Sequence, residues 1–121
     1  METILLVDDE ADILALAREM LEGQGFEILD ALNAEEAVRV AVSHTGPIHL
    51  LLTDVVMPGA SGAALGEQLV AQHPGLTVVY MSGYTEEAIV QHGVLKPGIA
   101  FLHKPFTSDT LGRKLRDALE R

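Results

Sequence analysis

Four short apolar runs that each stop at a polar or charged residue constrain this chain more than any other feature. Residues 4–7 end at Asp8-Asp9-Glu10, residues 48–53 at Asp54, residues 76–81 at Ser82-Gly83, and residues 99–102 at His103-Lys104-Pro105. Short, almost uniformly apolar runs of this kind read as strands buried on both faces. Residues 26–29 offer a fifth, weaker strand. Between the runs the period changes to that of a helix. Ile13, Leu16, Ala17 and Met20 form one apolar face, broken by Gly23 and Gly25. Asn33, with Glu36 three residues on, is close to a capping box ahead of Ala37, Val38, Ala41 and Val42, and Gly46-Pro47 ends that helix. Leu65, Leu69 and Val70 mark a third helix closed by Pro74-Gly75. Thr85 heads a short fourth, from Glu86 to about His92, and Thr107 precedes a fifth bearing Leu111, Leu115, Ala118 and Leu119. Five strands alternating with five helices at short spacing require an α/β domain: a parallel sheet with helices on both faces.

Such sheets bind ligands beyond the carboxyl ends of their strands. Asp8, Asp9, Asp54, Ser82 and Lys104 should therefore gather at one edge. Each alone has an ordinary explanation. Acids favour a helix start, an Asp or a Ser-Gly pair often forms a turn, and a lysine at a strand end is commonly solvated. Their coincidence at four strand ends is what those explanations leave over. Two carboxylates ~5 Å apart at an effective dielectric near 20 repel by about 3 kcal/mol, so three in one pocket need compensation. A hard divalent cation supplies it, and an all-oxygen donor set favours Mg²⁺ or Mn²⁺. With a lysine and a hydroxyl added, the pocket holds what phosphoryl transfer needs, and the central carboxylate, Asp54, becomes a candidate nucleophile.

Residues Leu5-Leu6-Val7-Asp8-Asp9-Glu10, Asp54-Val55-Val56-Met57-Pro58-Gly59, Met81-Ser82-Gly83-Tyr84 and Lys104-Pro105-Phe106 resemble the receiver domain of two-component response regulators. The resemblance runs over essentially the whole chain. It implies a flavodoxin-like, doubly wound (βα)5 sandwich with strand order 2-1-3-4-5. It also implies that Asp54 accepts a phosphoryl group from a histidine kinase or a histidine phosphotransfer domain. Asp9, Asp54 and the main-chain carbonyl of Val56 would ligate Mg²⁺, with Asp8 acting through water. Ser82 and Lys104 would bind phosphoryl oxygens, with Lys104–Pro105 in the cis form. Phe101 occupies the aromatic switch position and would move inward as phosphorylation draws Ser82 toward the phosphoryl group. Val56 and Tyr84 fall where similar receivers control dephosphorylation; a valine that makes no hydrogen bond and a tyrosine ring large enough to hinder water imply a slow autophosphatase. Residues 83–87 and 93–98 are similar to receivers of hybrid sensor histidine kinases; a stand-alone single-domain regulator is the alternative.

Composition agrees with a single domain over residues 1–121: 48% hydrophobic and 21% charged residues are globular proportions. With no cysteine, disulfides, iron–sulfur clusters and thiolate zinc sites are excluded. A formal charge of −10 argues against binding to nucleic acid or an anionic membrane surface. Met1-Glu2 opens no basic leader, and the expected setting is cytoplasmic, as a monomer or weak dimer. A Mg²⁺-dependent aspartate-nucleophile phosphohydrolase is the rival enzyme class. Those enzymes usually place an acid two residues after the nucleophile, where this chain has Val56. A nucleotide-binding module lacks its glycine-rich phosphate loop here. The five histidines are scattered without ligand spacing.

Overall fold

The computed structural model describes residues 1–91 and 93–120. Ten elements alternate: β1 (Thr3–Val7), α1 (Ala11–Glu22), β2 (Glu27–Ala31), α2 (Ala34–Ser43), β3 (Leu50–Asp54), α3 (Gly62–Gln72), β4 (Thr77–Ser82), α4 (Glu86–Gln91), β5 (Ala100–His103) and α5 (Ser108–Leu119). All four strand pairings are parallel and the order is β2-β1-β3-β4-β5. This is the doubly wound flavodoxin-like arrangement that the resemblance implies. His92, placed by the periodicity at the end of the fourth helix, lies outside the described residues.

The near-continuous apolar strands follow from the layers. Ile4 and Leu6 of β1 face a core shared with Leu14, Leu21, Leu111 and Leu115 of α1 and α5. Leu5 and Val7 face the opposite core with Ala37 and Ala41 of α2 and Leu65 and Leu69 of α3. A smaller third cluster, Val55, Ile89, Leu95 and Phe101, lies beneath α4. Capping follows the sequence closely. The side chains of Asn33, Ser61 and Thr107 accept from the backbone N–H of Glu36, Ala64 and Thr110, and Thr107 with Thr110 completes a capping box.

The helical faces needed correction. In α1 the buried stripe is Leu14, Ala17 and Leu21, while Leu16 is 47% exposed. Val42 and Val70, counted among the apolar residues of α2 and α3, are exposed. One residue of rotation at 100° per residue suffices to move a side chain off a narrow stripe, and valines on an outer face are common. The strand ends also shift. β3 includes Asp54 and β4 includes Ser82, because Asp54 pairs with Met81 and Ser82 with His103, extending the ladder to the reactive edge.

At the opposite, amino-terminal edge, Glu2, Phe26, Leu119 and Glu120 line one shallow hollow, so the two ends of the described chain lie close together. On the reactive side, the first residue of α3 sits hard against the end of β3. The Gly62 N–H donates to the Val55 carbonyl at 2.9 Å, and a Cβ on Gly62 would overlap the main-chain oxygen of Asp54. Backbone cannot move aside as a flexible side chain does. Gly62→Ala is expected to lower unfolding free energy by about 2–3 kcal/mol, read as a lower urea midpoint at unchanged slope. A midpoint equal to wild type would mean that β3 and α3 are not locked together in this way.

Candidate functional site at the carboxyl edge of the sheet

Asp8 is the pivot of the site. Its N–H donates to the Ala31 carbonyl at 3.2 Å, continuing the β1–β2 ladder, and the residue is fully buried. Oδ1 accepts from the Glu10 N–H at 2.9 Å, an Asx-type turn that starts α1, and Oδ2 accepts from Lys104 Nζ at 2.6 Å. Lys104 is brought in by β5, where its N–H donates to the Ser82 carbonyl at 2.8 Å, and its bond to Pro105 is cis. From there Nζ also lies 3.4 Å from Asp54 Oδ2 and 3.7 Å from Glu10 Oε1. Asp54 ends the central strand with only 9% of its side chain exposed.

These neighbours set the charge balance. Burial pushes the Asp54 carboxyl up to about 6, with Asp8 and Asp9 pushing the same way against the opposing pull of Lys104. Burial alone would lower the Lys104 ammonium; the hydrogen bond to Asp8 and the attraction of Asp54, Asp8 and Glu10 outweigh it, and the net direction is upward. Ser82 is buried, and its hydroxyl oxygen accepts from the Tyr84 N–H at 3.0 Å. An open cavity of about 500 Å³ over Asp54 is lined by Asp9, Glu10, Val56, Ser82, Tyr84 and Lys104, among others.

The expected residues thus converge at the carboxyl edge. The carboxylates whose oxygens lie within 4.8 Å of one another are Asp8, Glu10 and Asp54. Asp9, expected as a direct metal ligand, is exposed and lines the cavity rather than joining that trio, because successive residues leaving a strand point opposite ways. Asp8 holds Lys104 directly. Glu10 was given no separate role by the sequence reading. The signal for it was present, since an Asp commonly binds the N–H two residues on and turns that residue back toward itself. An all-carboxylate set of this compactness suits a hard dication. Phe101 is only 7% exposed and packs with Val55, Ile89 and Leu95. Val56 and Tyr84 are both exposed at the cavity mouth.

Residues 4–116 match the model of the response regulator receiver domain, and the chain belongs to that family. It is a receiver domain of two-component signalling, which leaves the phosphohydrolase reading without favour. Among its relatives is the sensor kinase CckA of Brucella abortus, 29% identical over 119 residues, covering 98% of this chain and 13% of that protein. The crystal structure of the receiver domain of the hybrid histidine kinase CckA superposes with a TM-score of 0.81 at 32% identity, covering 97% of this chain and 98% of that one. TrrA of Thermotoga maritima, crystallised with Mg²⁺ and BeF, superposes at 0.79 with 28% identity, covering 98% and 99% of the two chains. The chain spans less than a third of the length of its curated relatives, 13%, 25% and 31% of the three. No described helix is long and apolar enough to cross a membrane.

Proposed function

We propose that residues 1–121 form a single phosphoacceptor domain that takes a phosphoryl group from a phosphohistidine onto Asp54. The observation that carries this reading is the shared lysine: one ammonium, 2.6 Å from Asp8 and 3.4 Å from Asp54, beside a carboxylate at the end of the central strand. An Asp54 oxygen forms a bond to phosphorus as the P–N bond breaks. The imidazole leaves with the electron pair and takes up one proton from solvent. Lys104 stands close enough to turn from Asp54 to a phosphoryl oxygen, and the Ser82 hydroxyl, now an acceptor, keeps its own proton free to donate to another.

Asp8, Asp9, Glu10 and Asp54, with the Val56 carbonyl, are the groups that would hold Mg²⁺ or, alternatively, Mn²⁺. The ion supplies positive charge against the phosphoryl oxygens when bound. The similarity to CckA supports placement in a hybrid sensor kinase, with a kinase or phosphotransfer domain as partner. The setting assigned is the cytoplasm, where ATP is available to make phosphohistidine, and the state a monomer or weak dimer. The net charge of −10 argues against a nucleic-acid partner. Incubation with acetyl phosphate and Mg²⁺ should add one phosphoryl group by intact mass, and chelation should prevent it. A mass unchanged at saturating donor and Mg²⁺ would overturn the reading.

The lifetime of that product depends on how water reaches it. Val56 and Tyr84, 55% and 61% exposed, stand at the mouth, where the first cannot orient a water and the second hinders its approach. A valine makes no hydrogen bond, the tyrosine ring is bulky, and each 1.4 kcal/mol of barrier slows hydrolysis about tenfold. The isolated domain is therefore a slow autophosphatase. Val56→Asn should shorten the half-life of the phosphorylated form about three- to tenfold. An identical half-life in the variant would show that this position does not govern water access.

A further inference from the structure

Most arginines of this domain are matched locally. Arg18 pairs with Glu22 and Asp30, Arg39 with Glu35, and Arg113 with Asp109. The mouth of the phosphoacceptor pocket is not balanced in this way. Asp9, Glu10 and Asp54 line the cavity with Lys104, its one basic side chain among the described residues, and Asp8 lies buried beneath it bound to the same ammonium, so four carboxylates stand against one ammonium. A bound dication would still leave an excess of negative charge. Glu10 is placed to project that excess outward. It occupies the N-cap position of α1, yet its side chain makes no capping hydrogen bond. Its carboxylate lies instead 3.7 Å from Lys104, with 64% of the side chain in solvent.

We propose that Glu10 is a specificity-determining residue that sorts phosphodonors by charge, disfavouring small dianionic donors and favouring phosphohistidine presented on a basic protein surface. The inference rests on Asp54 being the phosphoacceptor. A free acyl phosphate must bring its own negative charge past Glu10 before the Asp54 oxygen bonds to phosphorus and the carboxylate leaving group departs with the P–O electron pair. A charge at the mouth acts over a Debye length, about 8 Å at physiological ionic strength, which covers the last step of approach. A donor whose histidine is flanked by lysines meets the same field as attraction.

The test compares wild type, Glu10→Gln and Asp117→Asn, the last removing one exposed negative charge from α5, each with Mg²⁺ titrated to saturation. Donors are acetyl phosphate, phosphoramidate, and two phosphohistidine peptides that differ only in flanking lysines or glutamates. Glu10→Gln should raise the second-order rate constant for acetyl phosphate about threefold at low salt, with the gain shrinking as KCl is added. The gain should be smaller for phosphoramidate, which carries less negative charge, and the preference for the lysine-flanked peptide should narrow. Asp117→Asn should match wild type. Equal donor ratios in wild type and Glu10→Gln, or an equal gain in Asp117→Asn, would overturn the role of Glu10 while Asp54 is still labelled. Failure of every donor to label Asp54 would instead overturn the phosphoacceptor assignment.

Discussion

Asp54→Asn should reduce Mg²⁺-dependent labelling by acetyl phosphate to background, a loss on the order of 10³-fold or more, since the amide offers no nucleophilic carboxylate oxygen. The substitution keeps the shape of a side chain that is 91% hidden, so the fold should persist, as circular dichroism would verify. Asp9→Asn and Asp8→Asn should behave differently, mainly raising the Mg²⁺ concentration needed for half-maximal labelling. The contrast separates nucleophile from metal-holding acids. Undiminished labelling of the Asp54 variant would sink the assignment and direct attention to the other carboxylates of the pocket.

The same substitution should stabilise the domain at neutral pH when a chelator is present. Asp54 titrates at about 6 in the folded protein against an ordinary value of 3.8, chiefly because it is buried, with Asp8 and Asp9 adding repulsion. A carboxyl raised in the folded state binds protons there more tightly than in the unfolded chain. Its favourable contribution is complete below about 3.8 and is lost as pH rises through about 6. The difference is worth about 3 kcal/mol above that window. Asp54→Asn removes it, so the variant should melt roughly 10 °C above wild type at pH 7.5. The two melting temperatures should draw together as pH falls toward 4. Saturating Mg²⁺ should raise the wild type more than the variant, because the ion offsets the same repulsion. A variant less stable than wild type at pH 7.5 in chelator would mean that the attraction of Lys104 outweighs burial at Asp54.

The strands were the most legible part of the sequence, for a reason visible in the two cores, whereas their order came from the family resemblance. Residues buried on both faces of a sheet need no alternation, so a run such as Leu50-Leu51-Leu52 admits few other readings. Helical faces were less legible. Ile13, Leu16 and Met20 were expected inward, and Leu16 is out, because an apolar residue on an outer face leaves no mark in the period of the pattern. Gly112, in the middle of α5, would be expected to weaken a helix. Its reason is tertiary: the Gln24 side chain crosses that point, donating to Ser108 and accepting from Arg116, and a Cβ there would collide with it. No local rule announces a contact between residues so far apart in sequence. That Asp54, Ser82 and Lys104 gather around one cavity was legible from strand ends alone. That Asp8 and Glu10 stand beside Lys104 depended on which way side chains leave β1, which the apolar pattern of so short a run does not state.

The hollow shared by Glu2 and Glu120 bears on how such a unit is carried within larger proteins. It lies at the amino-terminal edge of the sheet, while Asp54, Ser82 and Lys104 occupy the carboxyl edge. Polypeptide running on from either end would thus enter and leave on the side away from Asp54, through neighbouring points. A unit wired in this way can be inserted, appended or transplanted between hosts as a plug with adjacent leads. Attachment at that edge is kept apart from the edge that carries Asp54, Ser82 and Lys104. The layout that separates chemistry from attachment is the one that makes the unit portable.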